Sequence, residues 1–145
     1  MSLPRILIID EALRRRLALA EALREGHELE LLAPGDSGLR AVRRGRFALV
    51  LLCVDPDPSD ALRQARAMRA DFSPPPLVGL LDPGLQLEAP ADLLSPRQAQ
   101  GVYQGEADPA RVQAFVRALL DGEQPLSAGP PRPGLLRRLW ARRRG

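Results

Sequence analysis

Acidic side chains and one thiol stand at two points of the sequence where apolar runs end. Asp10 and Glu11 follow a first apolar run at residues 6–9, and Cys53 closes a second run just before Asp55. Carboxylate oxygens bind hard cations such as Mg²⁺, whereas a thiolate is a nucleophile and a soft metal ligand. The sequence therefore predicts an acidic pocket formed by Asp10, Glu11 and Asp55, with a cysteine beside it.

Alternating strands and helices must position these residues. The second run has six apolar residues before Cys53, which is typical of a strand covered on both faces. The pattern predicts five strands, at residues 5–9, 27–32, 47–53, 77–81 and 102–103, and helices at about residues 12–25, 36–44, 59–71 and 109–120. Such alternation indicates an α/β fold with a doubly wound, five-stranded parallel sheet, which places functional residues at the carboxyl ends of strands.

Two signals describe individual helices. Leu13, Leu17, Ala20 and Leu23 recur at helical spacing and predict the buried face of the first helix. Asp108-Pro109 is a typical helix start, with a capping aspartate before a proline at the first helical position.

Composition excludes several kinds of chemistry. The chain has one cysteine and one histidine and contains no lysine, threonine or asparagine. An intramolecular disulfide, a zinc site with paired cysteines and any mechanism that needs a lysine amine are therefore excluded. No apolar run is long enough to span a bilayer and the start does not resemble a signal peptide, so we expect a cytoplasmic protein.

The end of the chain differs from the rest. Residues 132–145 hold six arginines and no acid, which leaves 15 basic against 18 acidic residues in residues 1–131. We expect a domain at residues 1–121, an extended, poorly ordered linker rich in proline and glycine at residues 122–134, and a tail at residues 135–145.

The tail has the pattern of an amphipathic helix that is too short to be stable alone in water. Its apolar arc and two of its arginines are the predicted binding residues: Leu135, Leu136, Leu139, Trp140, Arg137 and Arg138. A partner protein, an anionic membrane or a nucleic acid would each accept such a segment. A solvated end without a partner is the remaining interpretation.

Three segments resemble the receiver domain of two-component response regulators. Residues 6–11 are similar to its first strand and acidic pair, Phe47 to Val54 to its phosphoacceptor strand, and Asp108 to Leu120 to its last helix. The segments have the order and spacing of that family, and the resemblance covers residues 4–121. It implies a flavodoxin-like, receiver-like fold.

The resemblance also implies roles for single positions. Asp10 and Glu11 match the acids that hold magnesium in receivers, and Cys53 matches the aspartate that accepts the phosphoryl group. Leu81 matches the hydroxyl residue and Gly105 the lysine that read the phosphoryl group. Since three of the five positions lack the required chemistry, we expect a pseudo-receiver that is not phosphorylated and is not an enzyme. It would act as a protein interaction module in bacterial signal transduction or localisation.

Two other functions stay open at this stage. Asp55, two residues beyond Cys53, becomes the phosphoacceptor of a single-domain response regulator if the strand register shifts. Alternatively, the Arg-rich tail makes the chain an adaptor for membrane or nucleic acid. We expect no cofactor and no small-molecule substrate, with Mg²⁺ at the acidic pocket as the alternative. Cys53 is interpreted as a small buried residue rather than a reactive thiol, because acidic neighbours disfavour the thiolate.

Overall fold

The structure is a computed structural model that describes residues 3–54, 58–82, 99–106, 108–123 and 125–128. Strands and helices alternate along most of these residues. The elements are β1 (Arg5–Ile9), α1 (Leu13–Leu23), β2 (Glu28–Leu32), α2 (Asp36–Arg44), β3 (Leu49–Cys53), α3 (Pro58–Asp71), β4 (Leu77–Asp82), β5 (Gly101–Gln104), α4 (Pro109–Leu120) and β6 (Leu126–Ala128).

The strands form one parallel sheet in the order β2-β1-β3-β4-β5-β6. Strand order reverses at β1, which pairs with β2 on one side and β3 on the other. The predicted α/β fold with a doubly wound parallel sheet is therefore confirmed. Ligand-binding crevices in such sheets lie at the carboxyl ends of the strands, near this reversal of strand order.

Apolar side chains cover both faces of the sheet. On one face, α2 and α3 pack on the strands through a cluster that includes Ala41, Ala65 and Met68. On the other face, α1 and α4 contribute Leu19, Leu23, Phe115 and Leu119, among others. All five residues of β3 are buried, as its unbroken apolar sequence predicts.

The packing of α4 leaves no space on the central strand below it. A Cβ atom added at Gly79 in β4 would lie 2.7 Å from Leu119 Cδ1 and 3.0 Å from Leu51 Cδ2. The start of α4 is as predicted, because the Asp108 carboxylate accepts a hydrogen bond from Ala110 N and Pro109 is the first helical residue.

The predicted buried face of α1 is wrong at two positions. Leu13 and Leu17 are 57% and 53% exposed, whereas Leu19, Ala22 and Leu23 are buried. The inward face instead follows residues 15, 19 and 22, so that it begins with an arginine. The leucine pattern was misleading because the arginine on the inward face has a buried partner at the end of β1. A pattern of apolar residues does not reveal such a contact between charged groups.

The predicted linker at residues 122–134 also needs correction. Its residues 126–128 form β6, which pairs with β5 and gives the sheet a sixth strand beyond the five predicted. Pro125 precedes this strand, and its carbonyl accepts a hydrogen bond from Val102 N at 3.2 Å. Pro125 is compatible with this place because β6 lies at the edge of the sheet. A proline there lacks an N–H group that would have no partner strand to bond to.

Other predictions fall outside the described residues. These include the tail at residues 135–145, and residues 83–98 between β4 and β5 are also outside the described ranges. Within the described ranges, no helix has the length and apolar character needed to cross a lipid bilayer.

Candidate functional site at the carboxyl edge of the sheet

The carboxyl edge of the sheet brings together most of the positions singled out in the sequence. Asp10 follows β1, Cys53 ends β3 and Gly105 follows β5. Ile9 pairs with Leu52, so that Asp10 and Cys53 come next at the ends of two adjacent strands. The topology therefore places Asp10, Cys53 and Gly105 at one edge of the sheet.

Asp10 is fully buried and its carboxylate is bonded to Arg15. Arg15 Nε donates to Asp10 Oδ2 at 2.6 Å, and Arg15 Nη2 donates to Asp10 Oδ1 at 2.7 Å. Oδ1 also accepts from the backbone N of Ala12 at 2.9 Å. Two parallel bonds from one guanidinium to one carboxylate are the strongest common geometry for this pair.

Local structure explains why these two side chains meet. Asp10 continues the alternation of Ile6 and Ile8, whose side chains face α1 and α4. Arg15 lies in the first turns of α1, on the helix face that also buries Leu19. With a side-chain exposure of only 19%, Arg15 reaches inward and places its charge against the buried carboxylate.

Cys53 and Leu81 occupy the positions next to this pair. Cys53 is buried and not in a disulfide, and it pairs with Leu81 in the ladder between β3 and β4. Leu81 belongs to the apolar cluster under α1 and α4, together with Leu51. An apolar side chain therefore stands where the resemblance to receivers requires a hydroxyl, and it cannot donate a hydrogen bond to a phosphoryl oxygen.

Gly105 completes the set of positions taken from the resemblance. It follows β5 with a φ of 105°, a left-handed conformation that glycine adopts without strain, and its N donates to Asp82 O at 2.9 Å. With no side chain, Gly105 offers no cation at this edge. Glu11, the second acid of the predicted pocket, is exposed.

Tyr103 fills the space beneath the end of β5. Its ring is buried and meets Phe115 of α4 edge to face, with 5.8 Å between the ring centroids. Its hydroxyl donates to Glu106 O at 2.6 Å. The ring and the hydroxyl are both held by the protein itself, so this part of the edge is packed and hydrogen-bonded.

The chemistry of these residues does not fit a magnesium ion. Magnesium requires several oxygen ligands in octahedral geometry. Both oxygens of Asp10 are already bonded to a guanidinium, and Cys53 offers sulfur where receivers have a carboxylate. No group of three or more histidine, cysteine, aspartate or glutamate side chains able to hold a metal occurs in the described part of the chain.

Sequence reasoning missed two charged residues of this edge. These residues are Arg15 in α1 and Asp82 in β4. The structure buries Asp82 fully as the last residue of β4. For Arg15 a signal existed in the sequence. Residues 15, 19 and 22 lie on one face of the helix, and Asp10 stands five residues before Arg15.

Two predicted sites belong to parts of the chain beyond the described ranges. Asp55, the alternative phosphoacceptor, lies outside the described residues, as do the tail positions Leu135, Leu136, Leu139, Trp140, Arg137 and Arg138. Their roles stay predictions.

In the described residues, a parallel sheet with two helices on each face has the fold of a receiver-like α/β domain, and comparison with solved structures agrees. The chain is similar to the chemotaxis response regulator CheY4 of Vibrio cholerae, with a TM-score of 0.70, 16% identity, and coverage of 81% of this chain and 99% of that chain. It is also similar to the signal receiver domain of the putative response regulator NarL from Mycobacterium tuberculosis, with a TM-score of 0.72, 17% identity, and coverage of 85% and 100%.

A third similar structure belongs to a chain that extends beyond the aligned region. For the RcsB response regulator of Salmonella typhimurium the TM-score is 0.70 and the identity 11%, with 87% of this chain aligned. The chain spans 62% of that protein. No family model and no curated protein matches the sequence. The expected receiver-like fold is confirmed, and its likeness to these proteins is one of structure at low identity.

Proposed function

We propose that this receiver-like domain is a pseudo-receiver, which binds a partner protein in a bacterial signalling or localisation pathway and is not switched by phosphorylation. The observation that carries the proposal is the bidentate bond between Arg15 and Asp10. A guanidinium neutralises the buried carboxylate permanently, where a receiver would use a removable metal ion.

The neighbouring positions support the same function. A receiver stores its signal as an acyl phosphate, which is read by a hydroxyl and a cation. Here the corresponding positions are Cys53, Leu81 and Gly105, and none of these side chains can accept a phosphoryl group as an aspartate does or bind one by a charge-assisted hydrogen bond. A module that retains the fold without this chemistry retains its surfaces, so binding rather than catalysis is its function.

The test is a comparison of amide NMR spectra and intact mass with and without Mg²⁺ and beryllofluoride or a small phosphodonor. It uses the wild-type chain, Asp55→Asn and Arg15→Gln. We expect no change in the wild type or in Asp55→Asn. A phosphoryl adduct, or shifts around residue 53 that occur in the wild type and vanish in Asp55→Asn, would overturn the proposal and identify a working response regulator with Asp55 as acceptor.

A further inference from the structure

A groove lies at the opposite edge of the sheet, where the strands begin. It separates the ends of α2 and α3, has a volume of about 490 Å³, and is lined by Arg43, Arg46, Phe47, Phe72 and residues 73–76. A second recess of about 300 Å³ beside it is lined by Ser37, Arg40, Arg43 and Arg44. Because Arg43 lines both, they form one surface, which we call the amino-edge groove.

Positive charge dominates this surface. Arg40, Arg43, Arg44 and Arg46 are exposed, and Asp36 is the only acid between residues 36 and 47. Among the described residues, none of these four arginines takes part in an ion pair.

Three exposed arginines on other helices are different. Arg24, Arg63 and Arg111 each pair with an acid three residues before them. The four arginines of the amino-edge groove lack the local neutralisation that these three arginines have, and they lie together on one surface.

This arrangement is unfavourable for the free helix. Arg40 lies three and four residues before Arg43 and Arg44, a spacing at which like charges repel each other. The C-terminal end of α2 offsets part of that repulsion, since its dipole favours cations in the last turn. It does not reach Arg40 in the middle of the helix or Arg46 beyond its end. The cluster is complementary to an anionic ligand.

The apolar part of the groove decides among anionic ligands. Phe47 and Phe72 are half-buried and pack against the core beneath α2 and α3. The Arg5 guanidinium lies 4.9 Å from the centroid of the Phe47 ring, so that this ring face is already covered. Nucleic acid bases would need free aromatic faces for stacking.

A membrane surface fits the groove no better. The exposed large hydrophobic residues in the described ranges are Leu3, Leu13 and Leu17, and none of them lines it. Insertion into a bilayer would require such residues around the arginines.

We propose that the amino-edge groove binds a peptide segment of a partner protein that combines acidic and apolar side chains. Its carboxylates bond to Arg40, Arg43, Arg44 and Arg46, where planar guanidinium groups match carboxylates in two-bond geometry. Its apolar side chains lie on the surface formed by Phe47, Phe72 and the prolines at 74–76. The inference rests on the proposed interaction function and names the chemistry of the partner.

The experiment is an NMR titration of the full ¹⁵N-labelled chain, without Mg²⁺ or phosphodonor. The probe is a short synthetic peptide of glutamate, leucine and phenylalanine, and its matched control has glutamine in place of every glutamate. We expect amide shifts at residues 40–47, 72 and 73 with the acidic peptide only. The double variant Arg43→Gln/Arg46→Gln should weaken binding about tenfold, which corresponds to roughly 1.4 kcal/mol.

A charge-matched variant and two competing ligands make the result specific. Arg24→Gln/Arg111→Gln removes the same charge from α1 and α4 and should leave the affinity within about twofold. Shifts confined to residues 132–145, or equal losses in both double variants, would overturn the proposal by showing nonspecific attraction. Shifts at the groove from single-stranded DNA or phosphatidylserine vesicles that exceed those from the peptide would also overturn it.

The outcomes separate this proposal from the proposed function. If the acidic peptide does not shift the amide signals of the groove residues, the groove is not the binding site that we propose. The beryllofluoride result is independent of that outcome. A positive beryllofluoride result removes the pseudo-receiver function whatever the peptide does.

Discussion

The two edges of the sheet hold charge in opposite ways. At the carboxyl edge, Asp10 is buried and bonded to Arg15, and the neighbouring positions 53, 81 and 105 have no charged side chain. At the amino edge, Arg40, Arg43 and Arg44 are exposed and carry no ion pair with any described residue. The first arrangement stabilises one conformation, whereas the second leaves charge available to a ligand. Under the two proposals above, the carboxyl edge has a structural role and the amino-edge groove binds the partner.

The largest effect is expected from breaking the buried pair. Arg15→Ala leaves the Asp10 carboxylate buried without its countercharge, and removing one partner of such a pair costs about 3–5 kcal/mol. Because Arg15 retains some exposure, we expect the lower end, about 3 kcal/mol, in urea unfolding monitored by circular dichroism.

Two further variants show whether that loss comes from the pair. Arg14→Ala removes an exposed neighbour on the same helix and should change the free energy of unfolding by less than about 0.5 kcal/mol. Asp10→Asn in the Arg15→Ala background removes the stranded charge and should restore part of the stability. If Arg15→Ala lowered the free energy of unfolding by less than about 1 kcal/mol, the pair would not be what stabilises this edge.

A carboxylate restored at the phosphoacceptor position tests the same edge more gently. Cys53→Asp adds a second buried acid next to a guanidinium whose Nε and Nη2 already bond to Asp10, so we expect a loss of about 2 kcal/mol. Cys53→Ala serves as the control for loss of the thiol. We also expect no response to Mg²⁺ and beryllofluoride. A stable variant that binds beryllofluoride would show that the single substitution had disabled a pocket that is otherwise intact.

The contrast between the edges also explains what the sequence could predict. The strands and α4 were predictable because their signals are local: the apolar run of β3, the Asp108-Pro109 start, and Gly122 after the last helix. The acceptor-equivalent position at the end of β3 followed from the same run. Local patterns therefore predicted where the carboxyl edge lies and at which of its positions the side chains of a receiver are replaced.

Long-range contacts account for the features that were missed. Arg15 appears inward only when the helix is placed on the sheet beside Asp10, and its leucine neighbours at 13 and 17 then face outward. The strand β6 depends on pairing with β5, which a proline-rich sequence does not announce. The arginines of α2 and the aromatic residues at 47 and 72 converge only through tertiary structure.

A smaller effect at the carboxyl edge is expected from Tyr103→Phe. The variant keeps the ring contact with Phe115 and loses the hydrogen bond to Glu106 O, so that a carbonyl loses its partner. We expect a loss of about 1 kcal/mol, measured by thermal or urea unfolding. Unchanged Phe115 aromatic shifts in NMR spectra would show that the packing is preserved. An unchanged stability would mean that this bond does not help to fix the edge.

The smallest effect on stability is expected at the amino edge. Arg43→Gln/Arg46→Gln removes two exposed charges that pair with no described acid, so the free energy of unfolding should change by less than about 0.5 kcal/mol. Added salt should stabilise the wild type slightly by screening the repulsion of Arg40 from Arg43 and Arg44, and should do so less in the variant. Urea unfolding at low and high salt measures both effects. If the double variant lost as much stability as Arg15→Ala, the arginines of this edge would be structural too, and the contrast between the two edges would disappear.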